Sequence, residues 1–395
     1  MNKNIEKLYS IAKKSKRVII GLMSGTSVDG LDVALTHIKG NGTETELELL
    51  HFETIAFDEK FKASIKSVLS KKNVDLEKVC MLNAHIAVTH ADIILNCLHK
   101  WGLQSKDIDL IASHGQSIYH APKWLHQQKE YGNATLQIGD GDHLAVKTGI
   151  ITLSDFRQKH IAAGGEGAPL AIYGDYLIFS KKGENRIMLN IGGIANFTYL
   201  AASLNADEVF CTDVGPGNTL MDAYIQQQFP GKYFDEDSAV ALKGTSNSHL
   251  LSALKDHDFF KQSFPKTTGP ELFNLDYLST AKNKSSTINL SVEDTMATLN
   301  QFTADVISNA IKEQTKGKDY KVYVSGGGMH NPLLIKSIKN QLPEIQFYDT
   351  ATLGINPDAK EAVLFAILAN EAVCGNNGLS NRFINVSMGK FSFPE

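Results

Sequence analysis

Four short loops hold most of the residues with the means to do chemistry. The first, SGTSVDG, lies within RVIIGLMSGTSVDGLDVAL at residues 17–35, where hydroxyls and carboxylates separate two apolar runs. Backbone N–H groups of Gly25, Thr26 and Ser27 can turn inward as an anion nest, and Asp29 or Asp32 can hold a hydrated Mg2+. A Walker A loop is excluded, because the stretch has no lysine and joins strand to strand. The second loop, NIGGIAN, puts Gly192 and Gly193 where a phosphate can approach the backbone. The third, TDVGPGN, adds Asp213, Gly215, Gly217 and Asn218. The fourth, YVSGGGMHNP, removes side chains at Gly326, Gly327 and Gly328, so that a flat ring can lie on the chain. Asn331 then suits a helix N-cap and Pro332 a first helical residue. A tight turn is the plain alternative for each loop, and for the first one alone the two readings weigh equally.

The surrounding elements repeat. RVIIGLM, LDVALTHI and LELLHFETIAF read as three strands, and Asp75 opens a long helix that stops at Gly102. DLIASHG and GIITLSD read as further strands. From residue 186, RIMLNIGGIANFTYL repeats strand, small-residue loop, strand, and CTDVGPGNTLMDAYIQQQF passes from strand into helix. A helix over 291–313, the strand KVYVSG, a helix after Asn331 and a last helix, AKEAVLFAILANEAV, follow. The pattern predicts an internal duplication, two α/β domains with mixed sheets. Two hairpin clasps and a glycine shelf on such halves describe the two-domain actin/hexokinase-like (ribonuclease H-like) ATPase fold, with ATP in the interdomain cleft. The domains are expected at 1–165 with 378–395 (sugar and phosphate clasp) and at 166–377 (nucleotide binding).

Composition narrows the function. The 395 residues are 43% hydrophobic and 21% charged, enough for two or three domains. A net charge of -4 and the lack of a long basic run disfavour nucleic acid as partner. The densest basic cluster, KKSKR at 13–17, reads as a solvated N-terminal arm. Four cysteines form no CxxC, and none has a histidine at metal-ligand spacing, so a disulfide framework or zinc site is not expected. VIIGLM is too short for a signal-peptide core, and no run of about 18 apolar residues is present to span a bilayer. A soluble, cytoplasmic protein without membrane contact is expected.

Eight segments carry a closer likeness: GLMSGTSVDGLDVAL, SHGQSIYH, LQIGDGDHLA, DFRQKHIAAGGEGAPL, LNIGGIAN, DVGPGNTLMDA, TGPELFNLDYL and SGGGMHNPLL. In that order they resemble the successive motifs of the anhydro-N-acetylmuramic acid kinase family. The resemblance implies transfer of the ATP γ-phosphate to O6 of 1,6-anhydro-N-acetylmuramic acid while water opens the bridge at C1. N-acetylmuramic acid 6-phosphate is the implied product, in bacterial cell-wall recycling. ATP and Mg2+ are the implied cofactors and a homodimer the implied assembly.

By the same resemblance the stretch from Gly25 to Asp32, including Gly30, holds phosphates and Mg2+, and Gly192, Gly193, Asp213, Gly215, Gly217 and Asn218 complete the clasp. Gly326, Gly327, Gly328 and Asn331 face the nucleoside. His114 and Gln116 of SHGQ approach the sugar, and Glu361 in DAKEA matches a carboxylate that binds it. One motif departs. The family reads DFRxxD, its second aspartate being the base that activates water; here that place is His160, and Asp175 stands where the family has histidine. A swapped dyad is expected, with His160 as base and Asp175 orienting it. Glu166 also replaces the family's glutamine. The rival readings are a kinase for another anhydro or plain sugar, and an ATP-binding regulatory homologue that lost catalysis with the aspartate.

Overall fold

Alternating and β-branched runs become strands, which the computed structural model arranges in two sheets. It describes residues 2–25, 27–168, 170–315, 318–375 and 386–395. In chain order the strands are β1 (Lys16–Ser24), β2 (Gly30–Lys39), β3 (Glu46–Ala56), β4 (Leu110–Ala121), β5 (Ala134–Ile138), β6 (Thr152–Ser154), β7 (Asn185–Ile191), β8 (Ile194–Leu200), β9 (Phe210–Pro216), β10 (Tyr320–Ser325), β11 (Gln346–Asp349) and β12 (Lys390–Ser392). The first sheet is ordered β12–β6–β4–β1–β2–β3, with β5 on β4, and the second β11–β10–β7–β8–β9. In the first, β1, β2 and β3 form an antiparallel meander, and β4 and β6 continue parallel from β1. In the second, β7, β8 and β9 form the same meander, and β10 and β11 continue parallel from β7. Order and polarity thus repeat, as the expected duplication requires, and the repeated pattern is that of the actin/hexokinase-like fold.

The chain divides into residues 1–179 with 354–395, and residues 180–353. This differs from the expected division, which put 166–179 and 354–377 with the second domain. Packing explains the difference. Helix Lys360–Cys374 buries every residue from Ala362 to Asn370, so it is apolar all round and lies inside the first unit. It packs so closely on β1 that a Cβ at Gly21 would lie 1.9 Å from the Ala362 carbonyl oxygen. Helix Ala171–Phe179 packs against it.

The basic cluster at 13–17 is not a solvated arm. Arg17 is 3% exposed and donates to Asn370 Oδ1 at 2.6 Å and the Gly40 carbonyl at 2.9 Å, while Lys14 pairs with Asp109 at 2.6 Å. Carbonyl and amide oxygens meet the buried guanidinium, which makes its burial tolerable. Helix Leu76–Lys100, capped by Asp75, buries Val79, Leu82, Ile86 and Ile94 in the first core. By length and composition it would also suffice to cross a membrane. Polar and charged residues interrupt its apolar stretches, so no unbroken apolar run marks it in the sequence.

Candidate active site

In the first unit the β1–β2 loop is pinned by Val28, which is fully buried at φ 60° and donates its N–H to the Gly25 carbonyl at 3.2 Å. A β-branched residue rarely adopts that conformation, so the loop is held under strain. Thr26 lies outside the described residues. Ser27 and Asp29 are exposed and open to a ligand. Gly30 answers to packing instead, because a Cβ there would lie 2.5 Å from the Ile55 carbonyl oxygen. Asp32 is half-buried, and burial pushes its carboxyl up although Thr54 donates to it at 2.6 Å.

Gln116 and His114 do not reach for a sugar as expected. Gln116 is fully buried; its Nε2 donates to the Gly25 carbonyl at 3.1 Å and its Oε1 accepts from Ser24 Oγ at 2.7 Å. Its amide braces the loop. His114 Nε2 accepts from Arg157 Nε at 2.9 Å, and its ring packs on Phe365 with centroids 4.8 Å apart. Burial first, then the Arg157 charge, push its pKa down to about 3, so the ring is neutral. Arg157 also donates from Nη1 to the Gly167 carbonyl at 2.7 Å.

The swapped dyad is not assembled. His160, 7% exposed, accepts the Gly167 N–H on Nδ1 at 2.9 Å, which places its proton on Nε2, 3.1 Å from the Tyr173 hydroxyl. Both nitrogens are engaged, and neither partner is Asp175. Burial and the Arg157 charge hold the imidazole below its usual range. Asp175, 2% exposed, lies 2.7 Å from Lys360 Nζ. The physical reason is local: Gly167, at φ 80°, turns its N–H back onto the His160 ring, and Lys360 projects to Asp175 from the first turn of its helix.

Glu361 is different. Its carboxylate has no hydrogen-bond partner among the described residues and is open to solvent. Crowding by surrounding protein pushes it above the usual range, Arg157 and Lys360 pull it back, and Asp32 pushes it further up. It is therefore an accessible acceptor in the field of two cations.

In the second unit two loops lace together. The N–H groups of Gly217, Asn218 and Thr219 donate to the carbonyls of Gly193 (2.8 Å), Gly192 (2.8 Å) and Gly193 (3.1 Å). A Cβ at Gly217 would lie 2.3 Å from the Gly192 oxygen, one at Gly193 2.8 Å from Thr219 Oγ1, and one at Gly215 3.0 Å from Val306 Cγ2. Gly193 and Gly217 serve the lacing, and Gly215 lets the chain pass close to Val306 on helix Val292–Thr315. The amides of Gly192 and Gly193 donate to no described loop carbonyl and remain for an anion. Asp213 fastens a neighbouring segment: its Oδ2 accepts the Thr268 N–H at 2.9 Å, while burial pushes its carboxyl up.

The glycine triplet divides the same way. A Cβ at Gly326 would lie 2.6 Å from Asn190 Oδ1 and one at Gly328 2.3 Å from Ile191 Cγ2, whereas at Gly327 the nearest atom, Asn218 Nδ2, is 3.7 Å away. Only Gly327 of the three is open. Asn331 caps its helix, its Oδ1 accepting from Leu334 N–H at 2.9 Å, Ser238 Oγ at 2.7 Å and Asn300 Nδ2 at 3.0 Å. Beside Gly327 lies a cavity of about 470 Å3, lined also by Asn218, Met221, Asp222, His330 and Asn331. Among the described residues no three His, Cys, Asp or Glu side chains gather as a metal cluster.

The model of the family described as anhydro-N-acetylmuramic acid kinase matches residues 17–382. A relative named anhydro-N-acetylmuramic acid kinase from Pseudoalteromonas atlantica is 57% identical over 100% of both chains. One of the same name from Caldanaerobacter subterraneus is 39% identical over 94% of this chain and 95% of its own. The chain belongs to the anhydro-N-acetylmuramic acid kinase family. Among solved structures, an activator of 2-hydroxyisocaproyl-CoA dehydratase from Clostridium difficile with bound ADPNP is 14% identical over 90% of this chain and 95% of that one, at a TM-score of 0.39.

In this kinase-family chain the sequence reading passed over Arg157, Lys360 and Asp222. Arg157 lies three residues before His160 on helix Phe156–Ala162, so the spacing places both on one face. Asp222 is four residues past Asn218 on helix Thr219–Gln228, again on one face. Those spacings are the available signals for Arg157 and Asp222.

Proposed function

We propose that the chain uses ATP to phosphorylate O6 of 1,6-anhydro-N-acetylmuramic acid while water opens the bridge at C1, giving N-acetylmuramic acid 6-phosphate. Glu361 carries the reading: an exposed carboxylate with no hydrogen-bond partner among the described residues, in the electrostatic field of Arg157 and Lys360. ATP fits the second unit through the unclaimed amides of Gly192 and Gly193 and the cavity beside Gly327. Asp29 and Asp32 fit a hydrated Mg2+, which needs only one or two carboxylates besides waters and phosphates. When bound, ATP supplies the phosphoryl group and Mg2+ screens its charge.

The side chains of the first unit do the rest. Glu361 accepts a proton from the water that attacks C1, in place of the expected His160. Arg157 and Lys360 keep that carboxylate ionised until it does. Arg157 also ties His114 to Gly167, and His160 holds the turn at Gly167. The family likeness supports a cytoplasmic homodimer as part of the same proposal. A kinase for another anhydro or plain sugar is the second reading, favoured by Glu166, whose charge reaches the exposed His120.

The test is ADP release and a mass spectrum of the sugar product. With 1,6-anhydro-N-acetylmuramic acid the product should gain one phosphoryl group and one water. ADP formed only with a plain sugar would install the second reading, and no ADP with any sugar would remove both.

A further inference from the structure

Asp222 lines the cavity of about 470 Å3 in the second unit, one helical turn beyond Asn218, to whose carbonyl it donates its N–H at 2.8 Å. The carboxylate is half-buried, and among the described residues none is hydrogen-bonded or ion-paired to it. Burial alone pushes it up to about 6. Withdrawing a carboxylate from water without giving it a donor is unfavourable, so the position asks for donors from a ligand.

Its neighbours do not share that need. Asp235 accepts the N–H groups of Val240 at 2.8 Å and Ala241 at 3.0 Å, and Glu236 and Asp237 are exposed. Together these acids make the cavity negative, which repels phosphates and favours the uncharged end of a nucleotide. The unclaimed amides for phosphate are those of Gly192 and Gly193, and Asn218, which also lines the cavity, bonds to the Gly192 carbonyl. Moving from that hairpin into the cavity, one turn of helix (about 5.4 Å) separates Asn218 from Asp222. In a nucleotide the group next to the phosphates is the ribose, and a carboxylate is a suitable acceptor for its hydroxyls.

We propose that Asp222 accepts hydrogen bonds from the 2′- and 3′-hydroxyls of the ATP ribose and so makes the kinase prefer ribonucleotides. The inference rests on the reading of the second unit as the nucleotide site. Steady-state kinetics with ATP, 2′-deoxy-ATP and 3′-deoxy-ATP test it in the full chain, beside calorimetric titration of ATP. The unsubstituted protein should favour ATP over each deoxy analogue by about tenfold to a hundredfold in kcat/KM, the range of a hydrogen bond to a charged group. In Asp222→Ala, and in the equal-sized Asp222→Asn, that preference should shrink severalfold while the KM for ATP rises. Equal use of all three nucleotides by the unsubstituted protein, or a preference that both variants retain in full, would overturn the inference and leave the nucleotide site standing. Absence of ATP binding in the titration would remove both.

Discussion

At the scale of single residues, a base is identified by an open lone pair as well as by its type. His160 has the expected type, yet Gly167 N–H and the Tyr173 hydroxyl engage its two nitrogens. Glu361 has the open pair. Glu361→Gln should therefore lower kcat by about 10²- to 10⁴-fold, the range for general base catalysis. His160→Gln, which can still accept the Gly167 N–H, should keep activity within about tenfold, since it loses a brace and no proton acceptor. Because Glu361 must be ionised to act and its carboxyl is held above its ordinary value, kcat/KM should fall on the acid side at a pH above about 4.3. That limb should persist in His160→Gln. If it disappears there, His160 is the base. Nothing in the sequence separates the two outcomes, because the Gly167 turn that occupies the imidazole is a matter of backbone folding.

At the scale of elements, the glycine loops were legible as loops, but their letters do not say which glycine serves a ligand. In SGGGMHN only Gly327 is open; Gly326 and Gly328 let the turn pack against the end of β7. Gly328→Ala should cost about 1–3 kcal/mol by overpacking against Ile191, measured as a lower urea midpoint. Gly327→Ala should leave that midpoint within about 1 kcal/mol, because its Cβ meets nothing closer than 3.7 Å, and should raise the KM for ATP instead. The reverse pattern would place the nucleotide elsewhere. Strands β5, β11 and β12 are short and weakly patterned, and pairing with a neighbouring strand, rather than local preference, makes them strands.

At the scale of the whole molecule, buried neutral histidines set the acid limit. His90 is 1% exposed, and burial pushes its pKa down to about 4; His114 is pushed down to about 3. Unfolded histidine titrates near about 6.5, so below that pH the unfolded chain binds more protons than the native one. The stabilisation is complete above about 6.5 and is lost as pH falls toward the native values, at up to about 1.4 kcal/mol per pH unit for each histidine. Urea midpoints at pH 7, 6 and 5 should fall accordingly. His90→Leu should flatten the slope without weakening the protein at pH 7, because His90 Nε2 has no hydrogen-bond partner among the described residues. An unchanged slope would mean that other groups govern acid stability.

The sequence by itself determined the longer strands and long helices, the repeat of strand, loop and strand, the places of the loops and the family. Each of these is written in local periodicity or in ordered motifs, which neighbouring residues carry without help from distant ones. Tertiary structure alone decided that residues 166–179 and 354–375 belong with the first sheet, that Gln116 and His114 are braces, that Arg157 binds the turn at Gly167, and which carboxylates stand open. Those outcomes depend on which of several competing partners a side chain meets, and the partners of Lys360 and Arg17 come from segments up to 353 residues away. Spacing along a chain fixes which face a residue occupies; only the packed molecule fixes what stands opposite.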